Sequence, residues 1–68
     1  MKPVSGKRMC RILEKKGWVR VRTRSSHYAY QRPGDPAIVI VPVHGNRDLK
    51  PGTQRAIMKD AGLTEDDL

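Results

Sequence analysis

Two histidines, His27 and His44, are the side chains in this sequence best suited to moving a proton near neutral pH. Neither belongs to a Ser-His-Asp or paired-carboxylate pattern. His27 follows the polar break Arg24-Ser25-Ser26 at the start of a β-patterned segment, and His44 follows Pro42-Val43 at the end of another. The turn signal Pro33-Gly34-Asp35-Pro36 lies between those two segments. In a meander this turn brings the start of the first segment and the end of the second to the same end of the sheet. Both imidazoles then come within reach of one phosphodiester, with Arg22 and Arg24 beside them. That arrangement suits RNA cleavage. An imidazole can take the proton of a ribose 2′-OH or give one to the leaving 5′-oxygen. Nearby cations stabilise the charge that builds on phosphorus. Judged by position alone, an ordinary polar strand-end role is the commoner one for each histidine.

A second group of residues points to phosphate binding. Lys50 precedes Pro51-Gly52-Thr53, where a helix start offers unpaired amides and Gly52 allows close backbone approach. The same residues are equally a good way to begin a helix. Tyr28 and Tyr30 could stack on bases, but in a chain without Phe they are better read as core or sheet-face area. Cys10 is alone, which excludes an intrachain disulfide and a Cys-based zinc site, and no neighbour marks a base for it. It reads as a small helix residue.

The elements that position these residues follow from periodicity. Ser5 is an N-cap, Met9, Ile12 and Leu13 share one helical face, and Gly17 supplies a stop, giving a first helix over about Gly6–Lys16. From Trp18 the period changes to two. Val19 and Val21 alternate with Arg20 and Arg22, so the valines are expected to face the helices, with Trp18, Arg20 and Arg22 pointing away. His27–Arg32 is a second strand, returning antiparallel across a short connection, and Ala37–Val41 a third, ended by Pro42. After the loop His44–Asp48, a second helix starts at Pro51, carries the stripe Leu49, Thr53, Ile57 and Ala61, and closes at Gly62. Thr64 can cap one further turn through Glu65, Asp66 and Asp67. The predicted fold is α+β, in the order α-β-β-β-α. Its three-stranded antiparallel sheet carries both helices on one face, the other facing water.

Composition bounds the function. The chain has 68 residues, enough for a single domain spanning 1–68, and only 14 of them are Leu, Ile or Val, so the core must be thin. The longest apolar run, Ala37–Val43, is too short to span a bilayer, and no apolar stretch follows the basic start MKPVSGKR. A soluble, cytoplasmic protein is expected. The net charge of +7 is unevenly placed. Residues 1–32 hold ten Lys and Arg against one acid, whereas residues 33–68 hold four against six. A one-sided cationic half suits a polyanion.

Taken together, the segments resemble the HicA-type mRNA-interferase toxins of toxin–antitoxin pairs. The resemblance runs through Val4-Ser5-Gly6-Lys7, Gly17-Trp18, Arg24-Ser25-Ser26-His27, Val41-Pro42-Val43-His44-Gly45-Asn46, Leu49-Lys50-Pro51-Gly52-Thr53, and Ile57 with Ala61-Gly62-Leu63. It implies a double-stranded-RNA-binding-domain-like fold and cofactor-free, metal-independent endoribonuclease activity on mRNA. It also implies a HicB-type antitoxin that masks the site, the toxin being a monomer when free and part of a hetero-oligomer with its antitoxin. The family's catalytic histidine lies in a Gly-Ser-His motif, whose place His27 takes, with Ser26 matching the serine. Ser25 stands where glycine is usual, and Tyr28 where a second histidine is common. His27 is thus the expected catalytic residue and His44 a candidate second one. Arg22, Arg24, Ser26 and Lys50 are expected to hold RNA phosphates. The alternatives are a non-catalytic RNA-binding module of the same fold and a subunit whose basic surface meets an acidic protein. Against the module, the second helix adds only Arg55 and Lys59 to Lys50 and also carries Asp60.

Overall fold

The Ser5 hydroxyl accepts the backbone N–H of Arg8 at 3.1 Å, so the first helix starts where the sequence provides a cap. A computed structural model describes residues 1–68, and in it α1 spans Gly6–Lys15. The strands are β1 (Val19–Arg24), β2 (His27–Arg32) and β3 (Asp35–Pro42), followed by α2 (Pro51–Ala61) and a final 3₁₀ turn (Glu65–Asp67). The sheet is antiparallel in the order β1-β2-β3. This is the α-β-β-β-α order and the α+β class that the periodicities predict.

The core lies between the helices and one face of the sheet. Met9, Ile12 and Leu13 of α1 and Ile57, Met58 and Ala61 of α2 pack with Tyr30, Val39 and Val41. Tyr30 is fully buried, and its hydroxyl donates to Glu14 Oε2 at 2.8 Å, tying β2 to α1. Burial pushes the Tyr30 phenol well above its ordinary range, so it stays a neutral donor. Tyr28 packs half-buried against the same core, so both tyrosines supply core area. Cys10 is buried beside them and burial raises its thiol pKa, which suits a packing role.

Strand β1 corrects the sequence reading. Trp18 is 1% exposed, while Val19 and Val21 are 56% and 54% exposed. A thin core gains more area from one indole than from two valines, and once Trp18 turns inward the alternation sends Val19 outward. Arg20 therefore lies on the helix side, opposite Tyr30, with its guanidinium 4.8 Å from the Tyr28 ring centre. A register shift between Arg20 and Arg22 then inverts the alternation, so that Arg22 faces Ala29 on the open side. The even spacing of Arg20 and Arg22 had implied a common face; the bulge separates them.

Two close approaches set the end of the sheet nearest the histidines. A Cβ on Gly6 would run into the Pro42 carbonyl oxygen and lie 3.1 Å from Val43 Cα, so glycine lets the start of α1 rest on the end of β3. Buried Gln54 on α2 accepts Val4 N–H at 3.2 Å and donates to the Lys2 carbonyl at 2.7 Å, pinning the N-terminal segment. At the opposite end Arg32 lies over the Trp18 ring, 4.7 Å from its centre, and pairs with Asp35 at 3.0 Å. The Ala37 amide, and then Arg32, hold the Asp35 carboxyl below its usual range. No helix is long and apolar enough to cross a membrane.

Candidate active site

His27 is the first residue of β2, paired with Arg24 on one side and Pro42 on the other. The two-residue loop Ser25-Ser26 joins β1 to β2, and Ser25 is the only non-glycine residue with positive φ, at 54°. A positive φ confined to the first loop residue is the pattern of a type II′ hairpin turn, where glycine is the usual occupant. Serine holds that positive φ at a cost of about 1–3 kcal/mol. The strain sits two residues from the imidazole. Ser26 closes the turn against β3, its carbonyl accepting Val43 N–H at 2.7 Å.

On the open face, Arg22, Arg24, His27 and Ile40 line a shallow depression over the buried Ala29. The β1 bulge makes this grouping. Continued regular alternation from Arg20 would turn Arg22 toward the helices; the extra residue, Val21, brings both Arg22 and Arg24 to the histidine's side. Neither arginine is paired with a carboxylate. Two uncompensated guanidiniums thus flank a solvent-exposed imidazole.

His44 belongs to a second depression, lined by Pro42, His44, Arg47, Asp48, Lys50 and Thr53. Lys50 is the residue before α2, and its side chain makes no capping hydrogen bond. The amides of Gly52 and Thr53 there have no acceptor within the helix. Both histidines therefore lie at one end of the sheet, but in separate depressions. Pro42 stands between them, paired with His27 and lining the His44 depression. Arg22 and Arg24 are grouped with His27, and Lys50 with His44. Arg47 joins Lys50 although nothing in its local sequence marks it. No three His, Cys, Asp or Glu side chains converge as a metal-ligating cluster.

What fold and site define together is a small basic α-β-β-β-α domain with a histidine at the tip of a cationic hairpin. A protein-family model described as HicA toxin of bacterial toxin-antitoxin matches residues 6–63, and the chain belongs to that family of toxins. Membership implies an antitoxin partner. A search of curated proteins found no match to the chain.

Proposed function

We propose that this toxin is an mRNA interferase, an endoribonuclease that acts in the cytoplasm and blocks translation until a HicB-type antitoxin covers its site. HicA-family toxins are ribonucleases. The observation that carries the reading for this chain is the exposed imidazole of His27 between two unpaired arginines on one sheet face. His27 accepts the proton of the 2′-OH as it attacks the adjacent phosphorus, or donates a proton to the departing 5′-oxygen. The nucleophile comes from the substrate itself, so the protein need only move protons and stabilise charge. The products are a 2′,3′-cyclic phosphate and a 5′-hydroxyl end. Arg22 and Arg24, which line the same depression as His27, bind the two non-bridging oxygens as charge builds on them. Ser26 holds the hairpin to the end of β3, which orients His27. Lys50, with the first amides of α2, binds a neighbouring phosphate.

His44 takes part from the adjoining depression, either as the second proton carrier or as a phosphate contact beside Arg47 and Lys50. The rival reading, an RNA-binding module without catalysis, needs the cations and not the imidazole. Replacing His27 by Ala separates them. The expected outcome is loss of growth arrest and of RNA cleavage with RNA binding retained; undiminished cleavage would contradict the assignment.

A further inference from the structure

The depression at His27 uses only part of the positive charge, and α1 carries a further share in an ordered form. Arg8, Arg11 and Lys15 follow one another at helical spacing of three and four, along one side of the helix. They line a groove together with Lys16, Asp66 and Asp67. All three are exposed, and none is within ion-pair distance of a carboxylate. The one acid of α1, Glu14, is drawn toward the sheet by the Tyr30 hydroxyl at 2.8 Å. The groove closes at its far end, where Lys16 meets Asp67 at 2.8 Å. That contact, and then the Thr64 amide, hold the Asp67 carboxyl below its usual range, so the acidic turn stays charged.

The direction of this stripe matters. The N-terminus of α1 rests on Pro42 and Val43 through Gly6, and Pro42 is the strand partner of His27. The stripe therefore begins at the histidine end of the sheet and runs about 10 Å away from it, at 1.5 Å per residue from Arg8 to Lys15. We infer that α1 is a docking rail for the sugar–phosphate backbone of the RNA, with Arg8, Arg11 and Lys15 holding a strand that passes round the Pro42 end of the sheet to the open face, where its scissile phosphate lies at His27. This rests on the ribonuclease reading and extends it to a binding surface outside the catalytic depression. The acidic turn at Asp66 and Asp67 marks where the rail stops.

The chemistry of the surface favours RNA over a protein partner here. The large exposed apolar residues are Met1, Val19, Val21, Ile38 and Ile40, none of them on α1. Protein interfaces are built around an apolar centre and are depleted of Lys. Spaced, exposed cations whose one apolar neighbour in the groove, Ile12, is buried match phosphates, which position a strand without reading its sequence.

The test uses the full chain carrying His27→Ala, so that binding is read without cleavage. Fluorescence anisotropy of a labelled single-stranded RNA of about 20 nucleotides is measured from low to moderate salt, with and without the added changes Arg8→Gln, Arg11→Gln and Lys15→Gln. Each phosphate contact on a single strand contributes about 0.7 to the slope of log affinity against log salt. The rail predicts a slope smaller by about 2 in the triple variant, and binding at least tenfold weaker at low salt. A further variant, Asp66→Lys, should tighten binding by lengthening the rail. Unchanged slope and affinity in the triple variant, with the same circular dichroism as the parent, would overturn the inference. Loss of antitoxin capture with RNA binding intact would also overturn it, assigning α1 to the protein partner. Should the wild-type chain fail to cleave RNA at all, the ribonuclease reading falls, and the anisotropy result still decides the rail by itself.

Discussion

The two histidines stand at the same end of one sheet in different company. His27 lies on a paired strand, held between Arg24 and Pro42, with Arg22 and Arg24 unpaired beside it. His44 lies in the loop before α2, beside Arg47, Lys50, the carboxylate of Asp48 and the free amides of a helix start. The first setting is a strand paired on both sides with only cations beside the imidazole, which suits a proton carrier acting at a phosphorane. The second mixes charges around an anion-binding helix end, which suits gripping a phosphate. On the proposed ribonuclease reading, this difference gives chemistry to the hairpin and makes the loop a grip for phosphate, with a second proton-carrying role for His44 the alternative to be tested.

The largest effect that would break this comparison is an exchange of roles. His27→Ala should lower the cleavage rate by about 10²–10⁴-fold, the range for a general acid or base. His44→Ala should cost about tenfold or less, mostly as weaker RNA binding; an equal loss of rate in a folded His44→Ala protein would instead establish a two-histidine mechanism. Next in size, Arg22→Gln with Arg24→Gln should slow cleavage by about 10²-fold, through loss of charge stabilisation at phosphorus. Lys50→Gln should mainly raise KM, by a few fold. Equal effects of the arginine and lysine changes on kcat would erase the distinction between the depressions. The smallest effect concerns the turn. Ser25→Gly should relieve the positive-φ strain while adding freedom to the unfolded chain, for a net gain of about 0.5 kcal/mol, read as a rise of a few degrees in Tm.

Much of this was legible in the sequence because it rests on local rules. Ser5, Gly17, Pro42, Pro51 and Gly62 mark the element ends, and the structure keeps nearly all those boundaries, with α1 ending at Lys15 and β3 starting at Asp35. Meander topology placed the two histidines at one sheet end, since short connections leave no other order. Period-two alternation, however, states only which residues share a face, not which face is inside. Trp18 decided that question against the valines through its area. Nor does alternation reveal a bulge, so the separation of Arg20 from Arg22 and Arg24 was invisible. Gly6 and Gln54 were equally silent, because each matters only through a residue distant in the chain, Pro42 for Gly6 and Lys2 for Gln54. The division of the histidines into two depressions depends on side-chain direction around Pro42, which strand order does not specify.

Attack by the substrate's own 2′-OH, the step proposed for His27, is tested most directly by the chemistry of the cut ends. Purified toxin is incubated with an end-labelled RNA and with the same strand carrying one 2′-deoxynucleotide on the 5′ side of the cleaved bond. Attack by the 2′-OH leaves 2′,3′-cyclic phosphate and 5′-hydroxyl ends on the RNA, and makes no cut at the deoxy position. Cleavage of the deoxy strand at that bond, or 5′-phosphate ends from the RNA, would contradict it.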